Sequence, residues 1–557
     1  MDVGETQKKL SQWAERDGTH RFYDLYHLLY HEDWLRTAQA HVRQNAGSKT
    51  AGCDGVNMRI FEEDLEGNLK RLKEDLKAER FEPQPVRRTY IREMKAGGRM
   101  KVRPLGIPAI RDRIVQEALR MILEPIWEAD FSRHSYGFRP NRSTKDAVAY
   151  IGSRLASSKG YGWVVEGDIQ SFFDTIEHHK LMQLLRQRTR EHKILALVWK
   201  FLRAGILEQG NCRHSLLGTP QGGIVSPLLA NIYLHELDRY MERYTELSAV
   251  KRQQRKRRGL VNCLYARYAD DFVVLCDGTK AQAEATRQEL YQFLKSELKL
   301  ELSLEKTKVT HVHDGFEFLG FLLDRNITGT GKWAPRIRIP TQAMEKVQDK
   351  LRAALAPDTH RDSARTEITA LNRIIGGWCR YYQTTSSPSR CFNKLSNEIF
   401  WLMAHWLGRK YQMSIPAVIR RFGRQHTFGT ASITLSRPSD FKAKRHRLKV
   451  IQNPYTADTT RIRREDLDSL QEEWTGTESR KGQMDHKEVV YQRDGGLCGI
   501  CGNFVLWEEA VMDHRIPRYR FKLPESGDTL GNQWILHREP CHQMKTKRDL
   551  QRVRRVR

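Results

Sequence analysis

The spacing of apolar and polar residues predicts that the first part of the chain is mostly helical. Apolar residues within 1–90 recur at helical intervals, with an interruption at 47–55 that is typical of a loop. Residues 86–110 predict a hairpin, because two basic strand-like segments flank a Gly-containing turn at 96–98. Apolar positions in 110–127 return to helical spacing and predict an amphipathic helix.

After this helix the pattern becomes mixed. Residues 163–169 are an apolar run that leads into an acid, 263–276 are a hairpin candidate with two acids at its centre, and 316–323 are a further apolar strand. Helical segments separate these strands, which predicts an α+β domain up to about residue 330. Residues 341–422 are predicted to be helical again.

Charge and cysteine content narrow the class of protein. The 557 residues include 95 Lys and Arg against 68 Asp and Glu, a net charge of +27. This excess predicts a polyanionic partner, most simply nucleic acid, and is too large for a typical metabolic enzyme. The 9 Cys are too few for a disulfide-built secreted protein and favour a reducing compartment with a local metal site. Charge alone does not separate an enzyme from a passive RNA or DNA binder.

The sequence also bears on location. No apolar run approaches the ~18 residues of a membrane span. The first residues lack the basic-then-apolar pattern of a secretory signal and the Arg-rich pattern of a transit peptide. We therefore expect an intracellular protein that does not bind membranes.

Two groups of acidic residues carry the candidate chemistry. Asp270 and Asp271 lie side by side between β-forming residues, and for this pair taken alone a solvated turn is the simpler account. Asp168 follows an apolar strand, where a free carboxylate is unusual. If the strand and the hairpin are neighbours, Asp168 and Asp270 can hold Mg²⁺ between them. Two such ions about 4 Å apart support nucleotidyl transfer by activating a 3′-hydroxyl and stabilising pyrophosphate.

Six motifs in a fixed order give the sequence a specific resemblance. They are RPLGIP at 103–108, SYGFRP at 135–140, the acidic segment 168–174, GTPQGG at 218–223 with SPLLAN at 226–231, YADD at 268–271 and FLGF at 318–321. Together they resemble the group II intron-encoded proteins, which combine a reverse transcriptase with maturase and endonuclease domains.

The resemblance implies a multidomain α+β protein. It would have right-hand-like fingers and palm, an α-helical thumb or maturase domain, a basic DNA-binding segment and a small zinc-containing ββα-metal HNH domain. The corresponding boundaries are 1–90 for an N-terminal extension and the start of the fingers, 86–330 for fingers and palm, 331–430 for the thumb, 431–484 for DNA binding and 485–557 for the HNH domain.

The same resemblance assigns roles around the polymerase site. Asp168 and Asp270 would be the principal Mg²⁺ ligands, with Asp271 as the third acid. The ring of Phe173 would lie under the incoming sugar and exclude a 2′-hydroxyl, and Gln221 would shape the nucleotide pocket beside two glycines. Arg103 would contact the triphosphate of a dNTP, and an exposed hairpin cation is the alternative for this residue. Lys95 is a second, less secure candidate for that contact.

Basic segments are the candidate nucleic-acid surfaces. Six cations in residues 251–258 indicate either a flexible solvated loop or an RNA contact, and the sequence leaves both open; they are Lys251, Arg252, Arg255, Lys256, Arg257 and Arg258. Residues 437–464 are basic and poorly periodic, and the resemblance places DNA phosphate contacts there; the cations are Lys442, Lys444, Arg445, Arg447, Arg461, Arg463 and Arg464.

Three aromatic residues in the predicted thumb also leave two roles open. Trp378, Tyr381 and Tyr382 can stack on RNA bases, but their helical spacing argues more simply for a packed helix core.

The C-terminal segment carries a Cys and His pattern that resembles an HNH endonuclease with a structural zinc. The resemblance implies Cys498, Cys501 and Cys541 as zinc ligands, with His537 as the fourth. Three residues separate His537 from Cys541 where the family usually has two, so the fourth ligand is the least secure part of this assignment.

The catalytic half of this module would need a cation and a base. Asp513 and His542 would bind Mg²⁺ or a similar ion, His514 would activate water, and Asn532 would orient the loop or the histidine. An ordinary turn residue is the alternative for Asn532. Three further cations would hold DNA phosphates; they are Lys545, Lys547 and Arg548.

These features favour a multifunctional enzyme over a passive binder. It would copy RNA into DNA, bind group II intron RNA and assist its splicing, and nick target DNA for intron mobility. The alternative is a non-mobile splicing cofactor with reduced enzymatic activity; a host defence reverse transcriptase fits less well, because it would lack the thumb and HNH segments. Intron RNA, target DNA and dNTPs are the expected partners, in a bacterial cytoplasm and near the nucleoid, as a monomer or dimer per intron.

Overall fold

The computed structural model describes two compact units, Met1–Lys449 and Val450–Arg557. Within the first unit and the start of the second it describes residues 1–94, 100–156, 160–208, 211–213, 218, 222–303, 307–328, 331, 333–446, 448 and 451–456. Further along the second unit it describes residues 490–491, 494, 497–501, 503, 505, 510–514 and 533–537.

The N-terminal part is helical, as the sequence predicts, and a hairpin follows it. The helices are α1 (Val3–Arg16), α2 (Tyr26–Leu29), α3 (Glu32–Gln44), α4 (Met58–Glu62) and α5 (Leu65–Lys77), with a 3₁₀ helix at Ala46–Lys49. Side chains of Asp2 and Asp64 cap α1 and α5 by accepting hydrogen bonds from backbone N–H groups of the first turn. The predicted hairpin is confirmed as the antiparallel strands β1 (Val86–Met94) and β2 (Met100–Ile107).

The predicted helix after this hairpin is confirmed, but it is a core helix without the solvent-facing polar side that an amphipathic pattern suggests. Helix α6 (Ile110–Glu128) is buried on nearly every side. Several of its polar residues are paired. Arg120 donates hydrogen bonds to the buried carboxylates of Glu117 and Glu124, and His41 of α3 lies 2.7 Å from the Glu117 carboxylate. The polar positions therefore face other parts of the protein, which the spacing of apolar residues alone does not show.

A four-stranded sheet forms the centre of the first unit. Its strands are β3 (Trp163–Asp168), β6 (Cys263–Tyr268), β7 (Asp271–Cys276) and β8 (Lys308–His311), in the order β6-β7-β3-β8 and antiparallel throughout. The helices around it are α7 (Thr144–Arg154), α8 (Phe172–Thr175), α9 (His178–Leu185), α10 (His192–Arg203), α11 (Ser226–Thr245), α12 (Ala249–Arg257) and α13 (Lys280–Glu297). The short strands β4 (Ile206–Glu208) and β5 (Asn211–Arg213) join the β1–β2 hairpin in a second sheet, in the order β2-β1-β4-β5.

The segment predicted as one apolar strand over 316–323 is instead a hairpin. Strands β9 (Phe316–Phe318) and β10 (Phe321–Ile327) are joined by Leu319 and Gly320, which both have positive φ angles (51° and 72°). A two-residue turn of this kind matches the natural twist of paired strands. Strand β11 (Trp333–Arg338) completes this sheet.

The predicted helical segment is confirmed by four helices: α14 (Thr341–Ala354), α15 (Ala364–Tyr382), α16 (Ser389–Tyr411) and α17 (Ile415–Phe422). A short hairpin follows them, formed by β12 (Gly423–Arg424) and β13 (Thr427–Phe428). Tyr381 and Tyr382 use their hydroxyl groups to bond the carbonyl oxygens of Leu319 and Gly320, at 2.8 and 3.1 Å. The ring of Trp378 lies against Tyr382. Of the two roles open to these aromatics, the contacts favour packing between α15 and the β9–β10 turn.

The second unit contains a small antiparallel pair, β14 (Ala510–His514) and β15 (Gln533–His537). Val490, Val505 and Leu536 are fully buried around it. Within the part of the chain that the structure describes, no helix is both long enough and apolar enough to cross a membrane.

Candidate functional site

The three acids predicted for catalysis lie at one edge of the central sheet, where its two inner strands β3 and β7 end and begin. Strand β3 pairs directly with β7, and Asp168 lies opposite Asp271. Asp271 also closes the β6–β7 hairpin opposite Tyr268, so Asp270 lies in the two-residue turn next to it. Residues directly opposite each other on antiparallel strands have Cα atoms about 4.5–5.5 Å apart. The register therefore brings the backbone of Asp168 beside the end of the hairpin that carries Asp270 and Asp271.

The chemistry of these side chains suits a hard cation. Asp168 and Asp270 are half-buried, while Asp271 is exposed. Among the residues that the structure describes, no three His, Cys, Asp or Glu side chains converge into a group that could hold a metal ion by themselves. Mg²⁺ commonly binds through one or two carboxylates and takes its other ligands from water and substrate phosphates, so a pair of acids at an open sheet edge fits it.

A buried arginine fixes the turn that carries two of these acids. Arg267 on β6 and Asp238 on α11 form an ion pair whose side chains are fully shielded from solvent. All five N–H groups of the guanidinium are used. Their acceptors are Asp238 Oδ1 at 2.8 Å, Asp238 Oδ2 at 2.5 Å, Asn231 Oδ1 at 3.0 Å, the Ala269 carbonyl oxygen at 2.9 Å and Ser135 Oγ at 2.8 Å.

The electrostatics keep this pair ionised. Burial by itself would lower the pKa of Arg267, but the carboxylate of Asp238 outweighs that effect and the pKa lies above its ordinary value. Tyr265 donates a third hydrogen bond to Asp238, at 3.0 Å, and burial raises the pKa of this tyrosine. The network is therefore fully hydrogen-bonded, which is the condition under which buried charges are tolerated.

The same network brings three of the sequence motifs together. Gly137 of the SYGFRP motif lies so close to the acidic turn that a Cβ atom there would be 2.3 Å from the backbone nitrogen of Ala269. Asn231 of the SPLLAN motif donates a hydrogen bond to the Gly137 carbonyl, at 2.8 Å. Backbone bonds between Arg267 and residues 134 and 136 complete the contact. The spacing of the motifs along the chain thus corresponds to a single contact region in space.

Phe173 lies on the short helix α8, which begins after Ser171 in the left-handed region (φ 47°). The Phe173 ring is half-buried and meets Phe172 and Phe138 edge-on, with ring centroids 5.4 and 6.3 Å apart. Burial raises the pKa of the neighbouring Asp174, and the cation of Arg88 on β1 partly opposes that rise. Arg88 therefore lies within electrostatic reach of this turn.

Two glycines of the GTPQGG motif pack on elements of the site. Gly218 has φ 89° and lies against the backbone of Phe173 and Asp174, and Nε2 of the buried His178 lies 2.6 Å from its carbonyl oxygen. Gly222 has φ 119°, and a Cβ there would be 2.2 Å from the Gly106 carbonyl oxygen. Gln221 itself lies outside the described residues.

The predicted triphosphate contacts are only partly described. Arg103 lies on β2 opposite Ile91, and nothing further is described of its side chain. Lys95 lies outside the described residues.

The basic run 251–258 is a helix and its C-cap, so the expectation of a flexible loop is wrong. Helix α12 begins at a Ser248 cap, and its partly buried cations Arg252 and Arg255 face the rest of the protein. The guanidinium of Arg255 lies over the ring of Tyr244, 5.2 Å from its centroid. The remaining cations are exposed; they are Lys251, Lys256, Arg257 and Arg258.

The second basic segment, residues 437–464, follows α17 and the β12–β13 hairpin along the chain. Lys442, Lys444 and Arg445 are exposed and lie outside helices and strands. The backbone N–H of Lys444 bonds the Gln383 carbonyl at 2.8 Å, and His446 pairs with Asp146 of α7 at 2.7 Å. Arg447, Arg461, Arg463 and Arg464 lie outside the described residues.

The C-terminal candidate site is described in part. Asp513 and His514 end strand β14, and His514 lies opposite Gln533, the first residue of β15. Cys498 is buried and donates its backbone N–H to the Asn503 carbonyl at 2.8 Å, while Cys501 is exposed. His537 ends β15 opposite Ala510. The other predicted residues lie outside the described part; they are Asn532, Cys541, His542, Lys545, Lys547 and Arg548.

Several residues that shape the site escaped the sequence analysis. Arg267 was a detectable signal, since a charge within an apolar strand needs a buried partner. Its partner Asp238 is 29 residues away in a helix, and no local pattern connects the two. Arg88 and Phe138 lie in predicted segments, but only the fold shows that they approach the Phe173 turn.

Comparison with known proteins gives two matches to family models. Residues 94–323 match a reverse transcriptase (RNA-dependent DNA polymerase) model, and residues 344–423 match a group II intron maturase-specific domain.

Two individual relatives also align with much of this chain. Protein YkfC of Escherichia coli K12 is 41% identical over 374 residues, which cover 64% of this chain and 97% of that protein. The group II intron-encoded protein LtrA of Lactococcus lactis subsp. cremoris is 32% identical over 467 residues, which cover 72% of this chain and 76% of that protein.

The Arg267–Asp238 pair leads to a stability prediction. Replacing Asp238 by Asn leaves the guanidinium buried without its counter-charge, and we expect the free energy of unfolding of the first unit to fall by about 3–5 kcal/mol. Thermal melting of the full chain would show this as a lower first transition.

The control is Glu66→Gln, which removes a carboxylate from the exposed Arg36–Glu66 pair. It should leave the first transition unchanged, because exposed pairs contribute little. Equal melting of Asp238→Asn and the wild-type chain would contradict the importance of the buried pair.

Proposed function

Since this chain belongs to the family of group II intron-encoded proteins, with a reverse transcriptase domain and a maturase domain, we propose that its polymerase chemistry takes place at Asp168, Asp270 and Asp271. The observation that carries this proposal is the register that sets Asp168 opposite Asp271 at one sheet edge. The reaction is RNA-directed DNA synthesis, with dNTPs as substrates and intron RNA as the template.

The proposed work of the acids is to hold Mg²⁺ at the point where phosphate reacts. Mg²⁺, when bound, lowers the pKa of the primer 3′-hydroxyl and neutralises charge on the leaving pyrophosphate. Asp168 and Asp270 are the proposed ligands, with Asp271 beside them. Arg267 holds the turn of Asp270 in place through its bond to the Ala269 carbonyl, which supplies the preorganisation that positional catalysis requires.

The nucleotide pocket is proposed to lie between this edge and α8. Phe173 excludes a 2′-hydroxyl by occupying the space beneath the sugar. In sequence Gln221 lies between two glycines that pack on the Phe173 turn and on β2, which supports a role in shaping the pocket. Arg103 and Lys95 are proposed contacts of the triphosphate, and Arg88 is placed to add positive charge to the same region.

The maturase function requires intron RNA to bind the first unit, and exposed cations are the proposed contacts. Helix α12 presents Lys251, Lys256, Arg257 and Arg258 to solvent while Arg252 and Arg255 anchor it. Each phosphate neutralised by such a cation adds salt-dependent affinity. The basic segment from Lys442 to Arg447 is proposed to contact target DNA in the same way.

The second unit is proposed to be an HNH endonuclease that nicks target DNA and permits intron mobility. The order of residues supports this: Asp513-His514 ends one strand, and Asn532 directly precedes the strand that pairs with it. His514 would take a proton from water, with Asp513 and His542 holding the cation. Cys498, Cys501, His537 and Cys541 are the proposed zinc ligands; the buried Cys498 thiol beside a small apolar core suits a structural ion that stabilises this module.

The polymerase assignment predicts the effect of removing the acids. Asp270→Ala combined with Asp271→Ala should abolish primer extension on an RNA template, because cation binding is lost, yet leave RNA affinity unchanged. Gel-based extension and filter binding with intron RNA measure the two effects.

The matched control is Asp314→Ala, which removes an exposed acid elsewhere in the same unit and should extend primers normally. Persistent DNA synthesis by the double variant would exclude these acids as the polymerase ligands.

The endonuclease assignment gives a separable prediction. His514→Ala should block nicking of the target DNA, because no base remains to activate water, and should spare extension from a primer that is already nicked. Assays on labelled duplex DNA with the intron ribonucleoprotein distinguish the two steps. Nicking at the wild-type rate would refute the role of His514.

A further inference from the structure

Phe138 is an exposed aromatic residue in an unfavourable backbone conformation beside the candidate nucleotide pocket. Its φ of 59° lies in the left-handed region, which bulky residues rarely occupy, and 48% of its surface remains exposed. Neither burial nor local turn preference accounts for a Phe at this position. Strained residues of this kind persist where the surrounding structure holds them, and they are concentrated at functional sites.

The loop that carries Phe138 is fixed at both ends. On one side Ser135 accepts a hydrogen bond from Arg267, at 2.8 Å. On the other side Arg139 makes two bonds of 2.9 Å to the carboxylate of Glu128 in a fully buried pair, and a further bond to the Ser135 carbonyl. Phe138 is therefore presented from a rigid loop.

The Phe138 ring contacts one residue of the proposed pocket. It meets Phe173 at 6.3 Å between centroids and 74° between planes, an edge-to-face arrangement. The ring of Phe172 also meets the Phe173 ring, with 5.4 Å between centroids and 60° between planes. Since Phe173 is itself only half-buried, these two neighbours restrict the rotation of its side chain.

We propose that Phe138 is a positioning residue for sugar selection, which holds the Phe173 ring in the orientation that excludes ribonucleotides. This rests on the proposed function, because it assumes that Phe173 lies beneath the sugar of the incoming nucleotide. A ring in this position discriminates against ribonucleotides only if the additional 2′-hydroxyl cannot displace it. Phe138 supplies this resistance together with Phe172.

The test measures discrimination rather than activity. Single-nucleotide incorporation opposite a template guanine gives kcat/KM for dCTP and for CTP, and their ratio is the selectivity. We expect Phe138→Ala to lower this ratio by about tenfold, near the upper limit of what an edge-to-face pair contributes. Phe138→Tyr keeps the ring, and its hydroxyl can point to solvent, so it should retain the wild-type ratio.

A second substitution separates the ring from the backbone strain. Phe138→Gly removes the ring but relieves the left-handed conformation, so it should lose selectivity as Phe138→Ala does even if the chain is more stable. Tyr23→Ala removes another strongly exposed aromatic ring (61%) and should leave the ratio unchanged.

Double variants show whether Phe138 acts through Phe173. Phe173→Ala should lower the ratio by itself, and adding Phe138→Ala should cause no further loss, since coupled residues are not additive. A wild-type ratio in Phe138→Ala, or an equal additional loss in the Phe173→Ala background, would overturn the positioning role. An unchanged ratio in Phe173→Ala alone would instead remove the assumption about Phe173 and the positioning role with it.

Discussion

Arg267 and Asp238 form an ion pair without access to solvent, and four other residues bond to it. A buried charge of either sign is costly unless its partner and its hydrogen bonds are all in place. The pair therefore requires that β6, α11 and the loop at 135–139 adopt one arrangement. The same pair fixes the acidic turn, because the carbonyl oxygen of Ala269 in that turn accepts one of the hydrogen bonds of Arg267.

This constraint shows why residues far apart in sequence form one site. Gly137 has no side chain and so can approach the turn closely, and Asn231 bonds both Arg267 and Gly137. Strand β3 then places Asp168 directly opposite Asp271 on β7. A negative edge is thereby held within a protein of net charge +27. Positive surfaces attract nucleic acid over long distances, and the proposed role of the acids is to concentrate cations where the ends of β3 and β7 meet.

The strands of the site could be predicted from the sequence, because an apolar run that leads into an acid, at 168 and again at 270, is typical of a strand ending at a polar site. The β9–β10 turn was missed, since FLGF looks continuous in apolar pattern and only positive φ angles at Leu319 and Gly320 divide it. Helix α6 was predicted, but its burial on nearly every side was not, because its charged residues are paired inside the protein. For α12 the density of like charges suggested a loop, whereas the Ser248 cap and the contact of Arg255 with Tyr244 support a helix. Long-range pairs of this type are tertiary facts that local pattern cannot contain.

The central claim is that cations bind where Asp168 meets the turn of Asp270. Replacing Mg²⁺ by Fe²⁺ in the full chain, bound to an RNA template, a DNA primer and dNTP, and adding hydrogen peroxide with ascorbate generates hydroxyl radicals at the bound ion, because Fe²⁺ reduces the peroxide and ascorbate regenerates Fe²⁺. These radicals cleave the backbone close to the ion. The account predicts peptide cleavage next to residue 168 and next to residues 270–271 that is suppressed by excess Mg²⁺. Cleavage confined to other segments, with these two positions intact, would contradict it.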